Sequence, residues 1–282
     1  MSIILNIYYP LILININILK ILNDDFMGIM LNENEKFLLE EIIKKNFSSK
    51  YKNSILGIFW SFLKPLLIMV LLTIIFSTLF SYSIDNFPVY YLSGKCLYDF
   101  FKLGTSSSMN SIKGNTNIIK RTATPKFIFV LGGIASEFIN FIITLIILVA
   151  VMIVTNATFY FTSIFSIISI LCLIMMIIGI GLILSIAYVY FSDIKHLYDI
   201  ITLLLMYASA IFYPMEIIPL TFRKYMVLNP FYWIIDQFRQ FVIFGNIPTT
   251  LSIINTFLIS LIILVLGILI FKKYDKKVAL KL

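Results

Sequence analysis

Residues 111–126, SIKGNTNIIKRTATPK, form the one long polar and basic segment between two strongly apolar halves of a 282-residue chain. The sequence on either side consists of continuous apolar runs of about 20 residues, the length that crosses a bilayer as a helix. The segment between them must therefore lie in water on one face, and it marks the side on which its neighbouring helices end. The bulk numbers agree. Hydrophobic residues make up 60% of the chain, charged residues only 13%, and the mean hydropathy is +1.00, whereas soluble domains are about a quarter charged. The fold class expected is all-α, a polytopic membrane protein with six transmembrane helices; alternating apolar and polar strands, the mark of a β-barrel, are lacking.

Outward toward the N-terminus, a second span at about 88–109 carries Lys95, Asp99 and Lys102, with Asp99 one helical turn from both lysines and able to pair with them. A short outer loop at 81–87 precedes it. The first span, about 56–80, has Trp60 near its start and a bend at Pro65. Residues 33–54 change character: Phe37, Leu38, Glu40, Glu41, Ile42, Lys44 and Lys45 make an amphipathic helix, acidic early and basic late as the helix dipole prefers. Such a helix lies along the membrane surface, although an ordinary surface helix has the same pattern. Residues 1–32 are expected to be a poorly ordered or interfacial leader. A stretch from Ile3 to Leu22 is long enough to span but is broken by Asn6, Pro10, Asn15, Asn17 and Lys20, so an extra span remains open, as does a start at Met27 or Met30. Residues 55–282 form the six-span domain.

Toward the C-terminus come a third span (127–154), a fourth (161–191), a short inner loop SDIKHLYD (192–199) and a fifth span (197–213). Gly179, Gly181 and Ser185 in the fourth allow close helix approach. Residues 214–249 are too polar and proline-broken to span, yet carry Phe222, Phe231, Tyr232, Trp233, Phe238 and Phe241. They read as short re-entrant or interfacial helices on the outer side, where aromatic rings accumulate. A sixth span (251–271) ends in the basic tail KKYDKKVALKL.

The net charge of +8 is a matter of topology rather than nucleic-acid binding, because the basic residues flank the spans. With both termini inside, the inner segments hold seven Lys/Arg in 1–64, four in 111–126, Lys195 and five in 272–282, which is 17 of the 22. That bias puts both termini on the cytoplasmic side of the membrane. Cys96 and Cys172 lie in apolar sequence without metal-ligand or CxxC spacing and read as small buried residues. No phosphate loop, GxSxG, HExxH or paired-cysteine site is present. The single histidine, His196, sits in an inner loop. No catalytic residue, metal site or cofactor is expected. Glu137 and Asn140 share a face of the third span, and a hydrogen bond from Glu137 to a neighbouring helix or to Lys102 is expected there.

Three ordered segments carry a resemblance: KYKNSILGIFW (50–60), GNTNIIKRTATPK (114–126), and FYP with LNP (212–214 and 228–230). With the amphipathic helix and six spans, the chain from about Phe37 onward resembles the membrane subunit of a type-2 ABC exporter, in the branch exporting cell-surface polysaccharide such as O-antigen, capsule or teichoic acid. The resemblance implies a homodimer with two copies of a separate ATPase, which alone binds ATP and Mg. It makes Gly114, Asn115, Lys120, Arg121, Pro125 and Lys126 the coupling loop and Phe37, Lys44 and Lys45 part of the interface helix. Where the family carries Arg-Asp after the fourth span, this chain has Ser192-Asp193, which leaves a contact there open.

A sugar polymer sliding through a channel needs many weak, interchangeable contacts, which aromatic rings supply. Trp60, Tyr90, Tyr91, Tyr98, Phe100 and Phe101 are the candidates, against the alternative that they face lipid or pack between helices. Lys50, Tyr51 and Lys52 are placed where a lipid pyrophosphate would come in, and ordinary positive-inside flanking explains the two lysines equally well. Two other functions remain: a type-2 ABC permease for a drug or lipid, and a membrane-embedded glycan-modifying enzyme. The second would modify a lipid-linked sugar with no ATPase present.

Overall fold

A computed structural model of the chain describes residues 32–51, 57, 59–80, 84–121 and 124–281. The leader expected over 1–32 falls almost wholly outside the described residues, as does Lys52. Among the described residues the regular structure is helical, with no strand.

Helix α1 (Glu33–Tyr51) opens with Glu33 and Glu35 and has Lys50 in its last turn, matching the dipole. It buries Leu39, Ile42 and Ile43 and leaves Phe37 67% exposed. Helix α2 (Phe59–Phe80) contains Pro65. Helix α3 (Phe87–Gly114) starts at Asn86, whose side chain accepts from the Val89 amide, with Pro88 in its first turn where a missing N–H costs nothing. The short α4 (Thr116–Ile119) follows, then α5 (Phe127–Val154). A 3-10 turn (Phe161–Phe165) leads into α6 (Ser166–Tyr190), and α7 (Ile194–Tyr207) runs back. Beyond it come α8 (Leu220–Val227), α9 (Pro230–Val242) and α10 (Thr250–Lys281).

Helix α3 is the axis, packed by α5 and α6, with α10 behind α6. Small residues make these crossings possible. A Cβ on Gly181 would stand 2.7 Å from Ser108 Oγ, and one on Gly179 only 2.4 Å from the Ile263 carbonyl oxygen beside Gly267. In a bilayer, where water does not drive helices together, such close backbone contact is a main source of association.

The bundle has a loop end, which carries residues 111–121, and a far end, where Arg239 of α9 meets Tyr90 of α3. Among the described residues, four helical stretches are long and apolar enough to cross a membrane: Phe59–Phe76, Phe127–Val154, Phe161–Tyr190 and Thr250–Val278. The two others expected to span differ for identifiable reasons. Helix α3 is about 42 Å long at 1.5 Å per residue, but carries Lys95, Asp99 and Lys102 at its middle. Helix α7 is 14 residues, about 21 Å, short of the roughly 30 Å hydrocarbon layer, and unwinds after Tyr207. The segment 214–249 also divides in two. Helix α8 exposes Leu220, Phe222 and Tyr225, as an interfacial helix would, whereas α9 buries Phe231, Ile234, Ile235, Phe238 and Phe241 within the bundle.

Candidate functional site

A cavity of about 590 Å³ opens between α2, α3, α5 and α7. Trp60, Tyr91, Tyr98, Phe100 and Lys50 line it, so four of the six aromatic candidates and one basic candidate meet in one groove. Their surroundings differ. Trp60 is 46% exposed, whereas Tyr91, Tyr98 and Phe100 are buried behind the surface. Tyr91 stacks on Phe212 at 5.8 Å, Phe100 stacks on Phe141 at 4.7 Å, and the Tyr98 hydroxyl donates to the Thr202 carbonyl at 2.9 Å. Phe101 turns away and packs on Phe231 at 5.0 Å, and Tyr90 faces the far end.

Polar ties hold α7 and the chain just beyond it along α3 at three levels: Tyr90 Oη to the Ala210 carbonyl at 3.3 Å, Tyr98 to Thr202, and a hydrogen bond between Thr105 and Tyr198. The opposite face of α7 presents Leu197, Ile200, Leu204 and Tyr207 outward.

Lys50, at the end of α1, meets Glu137 on α5 at 2.5 Å, and Asn140 donates to the same carboxylate at 3.0 Å. Glu137 is 4% exposed; its charged partner is thus the interface helix, not Lys102. Asp99 pairs with Lys95. Lys64 and Lys102, which also line the groove, have no ion pair among the described residues.

The loop end is tied to three other parts of the chain. Lys45 Nζ donates to Asn115 Oδ1 at 3.1 Å, linking α1 to the loop, and Asn115 in turn donates to the Ser111 carbonyl at 2.8 Å. Lys113 donates to Ser192 Oγ at 2.7 Å. Lys126 pairs with Asp275 of α10 at 2.9 Å. Ile119, the last residue of α4, is buried, while Gly114, Lys120 and Arg121 are exposed and Pro125 is half-buried. Lys44 is engaged with Glu41 on its own helix at 3.0 Å. The side chain of Tyr51 lies outside the described residues.

At the far end the chain after α7 is unwound, and Ala210 takes a φ of 50°. That leaves the carbonyls of Ala210 and Ile211, just beyond α7, outside any helix. Arg239, 3% exposed on α9, supplies the donors: Nη1 to Ala210 O at 2.9 Å, Nη2 to Ile211 O at 3.1 Å and to Tyr90 O at 3.0 Å, with the guanidinium 3.5 Å over the Tyr90 ring. Asn229 serves two elements, accepting from the Phe231 amide at 3.0 Å to cap α9 and donating to Ala208 O at 3.2 Å. The FYP and LNP segments thus form one joint, in which the second fastens the break that contains the first. A second cavity, about 700 Å³, lies beside it and is lined by Asp85, Glu216, Asp236, Tyr160, Tyr232 and Arg239 among others. Burial holds the Asp236 carboxyl above the usual carboxylate range, against the pull of a hydrogen bond from Gln240 and the charge of Arg239.

Reading the sequence marked Asn229 only as part of the LNP segment and did not single out Lys64 or Arg239. For Arg239 a signal exists: it lies four residues after Ile235 and one after Phe238, so it sits beside the apolar face of α9.

No group of three or more potential metal ligands occurs among the described residues. A family model described as ABC-2 type transporter matches residues 38–243. The O-antigen export system permease protein RfbA of Klebsiella pneumoniae is 26% identical over 243 residues, covering 86% of this chain and 93% of that protein. RfbA of Myxococcus xanthus is 20% identical over 230 residues, 80% and 88% of the two chains. The polysialic acid transport protein KpsM of Escherichia coli is 21% identical over 247 residues, 86% and 96%. The family match runs from within α1 to the end of α9, through the groove, the loop and the far-end joint, and the chain belongs to the ABC-2 type transporter family.

Proposed function

We propose that this chain is the permease subunit of an ABC exporter that moves a lipid-linked cell-surface polysaccharide across the cytoplasmic membrane, driven by ATP hydrolysis in a separate ATPase. The observation that carries the reading is the groove, where stacked aromatic residues and lysines converge at the side of the bundle. The relatives' names, O-antigen export and polysialic acid transport, support the cargo class. Two copies of the chain, facing each other across the exposed sides of α2 and α7, would close their grooves into one path. Trp60 and the rings behind it would offer flat, weakly binding surfaces to a sliding polymer. Lys50 and Lys52 would stand where the carrier's phosphates arrive. Two ATPase subunits would engage the loop at Lys120 and Arg121, with both termini on the cytoplasmic side.

Deletion of the gene, with glycan analysis of the cell surface, tests the cargo. The expected result is loss of one surface polysaccharide and its accumulation inside. Affinity capture of the tagged permease tests the machinery, and a nucleotide-hydrolysing subunit is expected to come with it. An unchanged surface glycan profile would overturn the polysaccharide reading, and capture without an ATPase would overturn the transporter reading as a whole.

A further inference from the structure

We infer that the exported polymer is anionic, with phosphate or carboxylate groups repeated along it, and that Lys64 and Lys102 inside the groove recognise those groups. The inference rests on the groove being the polymer's path. Four lysines line the groove (Lys50, Lys64, Lys95, Lys102) against two carboxylates, Asp99 and Glu137. The carboxylates are already taken, Glu137 by Lys50 and Asp99 by Lys95. Lys64 and Lys102 remain without a counter-charge among the described residues. Lys64 stands five positions into α2, and Lys102 about 18 Å along α3 from Gly114 at 1.5 Å per residue.

A lysine at hydrocarbon depth costs about 2.5–3.5 kcal/mol when nothing compensates it. One such residue on a lipid-facing surface can extend its amine to the head groups. Two helices bringing their surplus amines into one groove, with Lys102 half-buried, is a different arrangement. It puts uncompensated positive charge where a passing ligand must meet it. An uncharged glycan would gain nothing from that charge. An anionic one gains several weak attractions in series, which favour threading without trapping, as rings of basic residues do in anion pores. The positive sign is particular to this groove: the far-end cavity carries Asp85, Glu216 and Asp236, and its one guanidinium is engaged by backbone carbonyls.

The test has two arms. The glycan missing from the surface of the deletion strain is purified, assayed for phosphate and acidic sugars, and run on anion exchange. In parallel, cells carrying K64Q/K102Q or K64R/K102R are scored for surface glycan per membrane-inserted permease. The expected result is an acidic glycan, a drop on the order of tenfold for K64Q/K102Q, the effect of one or two lysine–anion contacts, and recovery with the arginine pair. An uncharged glycan overturns the inference, and if K64Q/K102Q still fails to export it, the lysines serve the carrier's phosphate instead. Wild-type export by K64Q/K102Q of an acidic glycan also overturns it. Should K64Q/K102Q fail to insert, the glycan's own charge decides. A deletion strain that loses no glycan sinks the transport reading and this inference with it.

Discussion

Arg239 is the residue on which the far end turns. Its guanidinium has no carboxylate within ion-pair distance among the described residues; it answers the carbonyls of Ala210 and Ile211, just beyond the end of α7, and that of Tyr90 in α3. Each buried acceptor left without a donor costs about 1–3 kcal/mol. Arg239→Met is therefore expected to destabilise the protein by several kcal/mol, and Arg239→Lys by less, since an ammonium keeps the charge but not the planar fork. Thermal unfolding of the detergent-solubilised variants checks this; an unshifted Tm for Arg239→Met would show that the joint does not depend on the residue. Lys126 makes the opposite point. It belongs to the basic loop by sequence, yet it is paired with Asp275 and 11% exposed, so its contact is internal to the permease.

At the scale of elements, the contact of greatest consequence is between α1 and α5. Ile42 and Leu39 lie against Gly132, where a Cβ would come within 2.6 Å of Ile42, and Lys50 reaches Glu137 above them. Glu137 is 4% exposed whereas the Lys50 side chain is 36% exposed, so removing the lysine strands a buried carboxylate, while removing the carboxylate leaves an amine that water reaches. Lys50→Met is therefore expected to lower Tm markedly, Glu137→Leu to lower it less, and the double variant to recover most of the Lys50→Met loss. Additive losses in that cycle would mean the two side chains act independently. The amphipathic pattern of α1 was legible from its spacing. Its partner was not, because Glu137 and Lys50 are 87 positions apart and only the α1–α5 packing brings them together.

For the whole molecule, the exposed charges of the loop are where a soluble partner would meet the bundle. Lys120 and Arg121 are exposed while Ile119 is buried, so α4 is seated inward and presents charge outward. Like-charge juxtaposition at an interface costs several kcal/mol. The variant K120E/R121E is thus expected to reduce ATPase co-purification by more than roughly tenfold and to abolish surface glycan, with the permease still inserted at its normal level. Retention of the ATPase by that variant would exclude these two residues from the docking surface. Labelling of a cysteine placed at 120 tests the side directly, and accessibility from outside the cell would reverse the proposed topology.

The amino-acid sequence determined the class of the protein and the order of its parts. Apolar runs, the basic loop, the amphipathic helix and the positions of proline and glycine are local quantities, set by transfer free energies and backbone sterics that act over one or two helical turns. It also identified the aromatic residues of α3, but not which of them reach the groove. Tyr91, Tyr98 and Phe100 border it while Tyr90 and Phe101 do not, because neighbours on one helix differ by about 100° in direction. Only the tertiary structure decided the charge pairing. Lys50, Lys64, Lys95 and Lys102 come from three helices, and which of them find a carboxylate depends on helix packing that no stretch of the chain encodes alone.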